Sequence, residues 1–258
     1  EAARAQHRRA ALVGLAREGA ARLGRRIPVG GIDPQALVEL EADGIIRPQR
    51  LGHSVQFTHD IFFEWAFLQL LVGEEERWPD VMRQVGEPPA LGRVVELLSQ
   101  AELLLGENWV SYLQLLESNT QLRSQWLRAW LAGPFGLETF AEHADAYTEA
   151  LFEGDTKRVR QLVVWYQAAK SQPDSSVLTN ANATDLNVAQ RMLYADMLSY
   201  PADLPAWMRF CTWLLEHSAR VPVTAIPDVV AAFEVWQNRF RHRSNRVSDA
   251  IVRTCLAW

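Results

Sequence analysis

The stretch from His53 to Val72 constrains the fold more than any other. Val55 and Phe57 alternate with Ser54, Gln56 and Thr58, the period of a half-buried strand. The pattern breaks at Thr58-His59-Asp60, residue types that cap helices or lie beside a cap. From Ile61 to Val72 only Glu64 and Gln69 are strongly polar, which predicts a helix apolar nearly all round and buried on more than one side. The run is shorter than the ~20 apolar residues a bilayer span requires. Trp65 in its middle is expected to be buried, so that truncation to Ala would cost about 3 to 5 kcal/mol.

Upstream, residues 2–24 predict a helix, with Leu12, Leu15 and Leu23 at helical spacing. Residues 1–26 carry seven arginines against Glu1 and Glu18, either a solvated face or a patch for phosphate or an acidic domain. Pro28-Val-Gly-Gly31 reads as a loop. Asp33-Pro34 reads as an N-cap followed by proline in the first turn, and Gly44 as a left-handed stop. Short strands are expected at 45–47 and 54–58, joined by a hairpin loop. Helix, short helix, hairpin, helix is the order of a winged-helix domain. Its candidate recognition helix carries Glu39, Glu41 and Asp43, which would face phosphates unfavourably, so nucleic acid is not an expected partner.

Beyond an acidic connector at 74–80 the pattern predicts helices only. They fall near 79–86, 90–105, 108–118, 120–132, 137–153, 155–171, 184–199, 204–219, 226–241 and 246–258. Breakers separate them at Gly86-Glu-Pro-Pro89, Gly106, Gly133-Pro-Phe-Gly136, Gly154-Asp155, Tyr200-Pro201 and Val221-Pro222, and residues 172–185 form one long polar loop. Trp126, Trp130, Trp165, Trp207, Trp213 and Trp236 recur on these helices without a fixed period and are expected to fill the core. The predicted fold class is therefore mainly α: a winged-helix domain with a small β-hairpin at 1–73, then an α-helical, HEAT-like repeat array at 74–258.

The chemistry-bearing patterns are missing. The sequence has no Gly-Lys dipeptide and hence no G-x-x-x-x-G-K-[ST] phosphate loop. It also has no H-E-x-x-H, G-x-S-x-G or G-x-G-x-x-G. The six histidines show no metal-ligand spacing, and Glu142-His143 and Glu216-His217 are adjacent pairs expected on the surface. Asp145 and Glu149 lie four apart, an arrangement common on solvated faces. No catalytic or metal-binding residue is assigned. The formal net charge of −5 gives no global drive toward polyanions. Two cysteines 44 residues apart fit a reducing, cytoplasmic compartment. The first residue is Glu1 and the last helix has no cap, so a segment of a longer protein is expected.

At Phe57-Thr-His-Asp60 the residues acquire a family resemblance. The basic helix with Leu12-Val-Gly-Leu-Ala16, the short Leu37-Val-Glu-Leu40 helix, Gly44-Ile-Ile-Arg47 and the aromatic-rich helix after Asp60 occur in matching order. Residues 1–73 thus resemble the winged-helix module of the STAND signalling NTPases, which include the NB-ARC and NACHT groups. Phe57-Thr-His-Asp60 is similar to the Met-His-Asp motif of plant immune receptors and the Phe-x-His of NACHT proteins. Thr58 stands where the plant receptors have Met, and Trp65 near a common NACHT Tyr. The helices after residue 73 resemble only in kind the sensor arrays of such proteins, especially prokaryotic antiviral members.

The resemblance implies that His59 donates a hydrogen bond to the ADP β-phosphate in a closed state, and that Asp60 caps the next helix or holds the histidine. It implies ADP or ATP in the full-length protein but no cofactor in this segment, whose phosphate loop, magnesium ligands and catalytic acid would lie upstream. The implied partners are an upstream nucleotide-binding domain, a protein or other ligand on the helical array, and further copies of the chain. Two other readings stay open: a HEAT-like protein-binding scaffold and a winged-helix DNA-binding regulator. Read without the resemblance, His59 is a helix cap or a strand-end hydrogen-bonding group.

Overall fold

The computed structural model describes residues 2–105, 108–153, 157–179, 187–240 and 243–258. The expected breakers at Gly106 and Gly154-Asp155, residues 180–185 of the expected polar loop and His242 lie outside them; the described part of that loop is not all loop, since Gln172 belongs to a short strand and Ser176–Thr179 form a helical turn. The protein is mainly helical with small antiparallel sheets. It divides into two compact units, Glu1–Glu102 with Ser111–Gly133, and Leu103–Val110 with Pro134–Trp258. The expected boundary at residue 73 falls inside the first unit. Among the described residues, no helix is long and apolar enough to cross a membrane.

In the first unit, α1 (Ala2–Gly19) buries Ala11, Leu12, Leu15, Ala16 and Gly19, one stripe at helical spacing. At Gly19 the packing is close: a Cβ would lie 2.8 Å from Cδ1 of Ile27. Ile27 opens β1 (Ile27–Pro28), a strand not expected from the sequence, in which Pro28 reads as loop and Ile27 falls in no element. A two-residue strand ending in proline is too short for alternation to reveal. α2 (Pro34–Ala42) starts as its sequence predicts, with the Asp33 carboxylate accepting from the Gln35 N–H. It is followed by Gly44 at φ +70°. β2 (Ile46–Arg50) is longer than expected and carries a bulge between Pro48 and Arg50. β3 (Ser54–Phe57) lies in the middle, giving strand order β1-β3-β2 with Ile27 opposite Val55 and Ile46 opposite Phe57. These four side chains turn inward and are buried.

α3 (Asp60–Glu74) packs on α1 and buries Phe63, Ala66, Phe67, Leu70 and Leu71. Its other face corrects the sequence reading. Ile61 is 67% exposed and Trp65 48%, and Val72 is exposed on the same stripe. An apolar helix surface records that a face can be covered, not that this chain covers it. Trp65→Ala should therefore change the stability of the isolated chain by less than about 0.5 kcal/mol. Chemical unfolding measures this, and a loss above about 2 kcal/mol would restore the buried placement.

The connector expected at 74–80 is helical. A 3₁₀ turn at Glu75–Arg77 leads into α4 (Trp78–Gln84). α5 (Gly92–Leu105), α6 (Trp109–Ser118) and α7 (Ser124–Ala132) follow close to their expected places. Trp78 stacks on Trp130 at 5.9 Å and 16°, with the Tyr112 ring edge-on to both. Glu87, in the expected breaker before α5, is a buried node. Its carboxylate accepts from the Arg123 N–H at 2.9 Å and the Trp126 indole N–H at 2.6 Å.

The second unit holds α8 (Phe140–Phe152), α9 (Lys157–Lys170), α10 (Ser176–Thr179), α11 (Val188–Met197), α12 (Leu204–Glu216), α13 (Ile226–Arg239) and α14 (Arg246–Ala257). Its centre is Phe135, wholly buried among Phe140, Tyr147, Tyr166, Phe210 and Trp213. The expectation of helices only fails here: β4 (Ser171–Gln172) pairs with β5 (Tyr200–Pro201). The Lys170 carbonyl beside them accepts from the Trp207 indole at 2.6 Å. Of the six tryptophans expected in the core, five are buried and Trp165 is half-buried. Burial also pushes the Cys211 thiol up, leaving an inert core side chain.

Candidate functional site

The strand-to-helix junction of the first unit is built by its backbone. β3 ends at the buried Phe57, whose N–H donates to the Gly24 carbonyl at 3.1 Å. Gly24, at φ +75°, lies so close beneath that a Cβ there would be 3.2 to 3.3 Å from the Phe57 and Phe63 rings. Thr58 then fastens the junction to the start of β2. Its N–H donates to the Ile45 carbonyl at 3.0 Å, and its hydroxyl lies 2.5 Å from the Gly44 carbonyl oxygen and 3.1 Å from that of Ile45. This clamp is not among the expectations from the sequence. The sequence carries no signal for it, because the two carbonyls lie 13 and 14 positions away.

His59 follows in extended conformation, φ −137° and ψ 146°, at the N-cap position of α3. Its side chain makes no cap hydrogen bond, so the helix-cap role open at the sequence level is not the one its imidazole plays here. The ring is exposed, 6.0 Å from that of Phe62 and tilted 54° to it. Asp60 is the first residue of α3 and also exposed, a carboxylate placed favourably at the positive end of the helix dipole. Among the described residues no ion pair joins Asp60 to His59. The junction thus has a fixed inner side and an imidazole directed to solvent. Further along α3, burial raises the Glu64 carboxyl above its ordinary range.

The basic first helix is largely answered within the chain. Arg4 pairs with Glu39 at 2.9 Å, Arg8 with Asp43, and Arg17 with Glu74 at 2.5 Å, while His7 lies 3.6 Å from Asp33. The Arg4 hydrogen bond holds the Glu39 carboxyl below its usual range. The acidic face of α2 is therefore mostly spent on α1. The second unit likewise engages Glu149, one of the carboxylates noted in the sequence, in a two-pronged pair with Arg220. His217, expected at the surface, is half-buried, and its ring stacks on Phe152 at 5.7 Å.

Two surface clefts among the described residues bear on chemistry. One, in the second unit, is lined by Leu103, Trp109, Val110, His143 and Asp145 among others. The other, in the first unit, is lined by Glu76, Ser111, Tyr112 and Gln114 among others. Neither joins a nucleophile to a base, and no group of three or more His, Cys, Asp or Glu among the described residues is arranged to hold a metal. The sequence matches no protein-family model and no curated protein.

Proposed function

We propose that this chain is the regulatory and sensor region of a STAND-type signalling ATPase. In this reading the first unit contains a winged-helix module that relays nucleotide state. The helices beyond form a HEAT-like array that senses a ligand or mediates assembly, as in prokaryotic antiviral members. The helix, strand, helix, hairpin, helix order and the β1-β3-β2 sheet support the winged-helix assignment. The array departs from a regular solenoid, since α13 packs on α9 across three intervening helices. The phosphate loop, magnesium ligands and catalytic acid belong to an upstream nucleotide-binding domain, and this segment catalyses nothing itself. The protein works in the cytoplasm and assembles with further copies of itself.

The observation that carries the reading is the Phe57-Thr-His-Asp60 junction, with His59 exposed on a base that Thr58 and Gly24 hold fixed. Such an imidazole can keep a constant distance to the ADP β-phosphate. A hydrogen bond to a charged group contributes about 1.5 to 3 kcal/mol, so His59→Ala should shift a closed-to-open equilibrium roughly ten- to hundredfold. In the full-length protein the variant should bind ADP more weakly and assemble without its trigger. Ser54→Ala, on the same hairpin, should do neither. Unchanged ADP affinity and unchanged assembly in His59→Ala would remove the nucleotide role.

A second reading rests on the uncovered stripe of Ile61, Trp65 and Val72 on α3. An apolar strip of this kind suits a protein partner, and it favours a docking scaffold if no upstream nucleotide-binding domain exists.

A further inference from the structure

The charges of the first unit are distributed unevenly. Residues 19–32 and 44–59, which form the sheet and its flanks, contain Arg22, Arg25, Arg26, Arg47 and Arg50 and no Asp or Glu, in a chain of net charge −5. All five arginines are exposed, and none has an acidic partner among the described residues. The strand register gathers them. Arg47 lies opposite Gln56 and Arg50 opposite Ser54, the two β3 residues whose side chains point away from the core. On the other side of β3, Pro28 pairs with Ser54, and Arg25 and Arg26 immediately precede β1. The outer sheet face is thus flanked by arginine on both edges, with the exposed His53 at the hairpin end and the exposed His59 at the far end of β3.

We propose that this sheet face, with its hairpin, binds the phosphodiester backbone of nucleic acid without regard to sequence. The inference goes beyond the nucleotide relay and does not rest on it. Guanidinium forks match phosphate oxygens, and contacts to phosphate position a protein without reading bases. A protein partner is the poorer fit. Protein interfaces have an apolar centre depleted in charge, whereas the outward positions here are Pro28, Arg47, Arg50, Ser54 and Gln56. Nucleic acid was not expected from the sequence because α2 is acidic. Glu39 and Asp43, however, are held by Arg4 and Arg8 of α1, and neither lies on the sheet.

The test is fluorescence anisotropy of the 258-residue chain with a labelled duplex DNA of mixed sequence, titrated between about 50 and about 200 mM salt. Each phosphate neutralised contributes about −0.9 to the slope of log K against log salt, so about four contacts predict a slope near −3 to −4. A shuffled duplex should bind equally well. The exposed double variant Arg47→Ser/Arg50→Ser should lose tenfold or more in affinity at low salt and about two units of slope. Arg25→Ser, outside the strands, should lose about one unit. Arg160→Ser in the second unit should change neither. Three results would each overturn the proposal: no saturable duplex binding at the lowest salt; binding unaltered in both the double variant and Arg25→Ser; or retention of a poly-glutamate peptide in place of the duplex, which would assign the face to an acidic protein.

Discussion

Replacing Phe135 by Ala is expected to cost the second unit about 3 to 5 kcal/mol. The ring is fully buried and has five aromatic neighbours, with centroids from 4.7 Å (Phe140) to 5.7 Å (Trp213). Those neighbours come from α8, α9 and α12, so one side chain joins three helices. Removing it leaves a cavity that rigid rings close poorly, and the edge-to-face contacts with Tyr147, Tyr166 and Phe210 go with it. Phe135→Leu, which keeps most of the volume, should cost about 1 to 2 kcal/mol. Hydrogen exchange is the suitable measurement, because two units need not unfold together. Protection should fall in α8, α9 and α12 while α1 to α3 keep theirs. A loss below about 1 kcal/mol would mean that the cluster closes without Phe135.

Glu87→Ala is expected to destabilise the first unit by about 2 to 4 kcal/mol. The carboxylate accepts from a backbone N–H at the start of α7 and from the buried Trp126 indole, and both donors would lose their acceptor. The Glu87 carbonyl also accepts from Gln125 at 3.1 Å, but that bond belongs to the backbone and survives the substitution. Both donors reach the same oxygen, so Glu87→Gln can keep both hydrogen bonds while losing the charge that strengthens them, and should recover roughly half the loss, leaving about 1 to 2 kcal/mol. Urea unfolding followed by tryptophan fluorescence reports both variants, since Trp126 is itself a partner. Equal stability of Glu87→Gln and Glu87→Ala would show that the fold does not depend on these hydrogen bonds.

These two residues show where sequence patterns stop being informative. Glu87 and Phe135 both lie in proline- and glycine-containing breakers, Gly86-Glu-Pro-Pro89 and Gly133-Pro-Phe-Gly136. The breakers correctly marked helix ends, because proline and glycine act on the local backbone. What a breaker touches depends on elements far away in the chain. Glu87 meets residues more than 35 positions on, and the Phe135 carbonyl accepts from Arg209, 74 positions on.

The His59 junction divides along the same line. A strand ending at Phe57, a turn and an apolar helix from Ile61, one residue after its observed start, were legible from residues 53–72 alone, since periods of two and 3.6 are local properties. The Thr58 clamp to Gly44 and Ile45 was not, because it joins residues 13 and 14 apart across a sheet. Nor was the exposure of Trp65, which depends on whether another surface lies over α3.

By itself the sequence determined most of the helix positions, the hairpin, the Asp33 cap and most of the tryptophans that fill the cores, because each depends on spacing or on a residue's own backbone preference. Tertiary structure alone decided three things. It added β1 to the hairpin as the outer strand of a sheet. It paired Arg4 and Arg8 of α1 with Glu39 and Asp43, while the arginines of the sheet have no acidic partner among the described residues. It also turned one apolar face of α3 inward and the other to solvent. In each case the deciding interaction joins residues distant in sequence, and neither hydrophobic periodicity nor local propensity records which distant surface a side chain will meet.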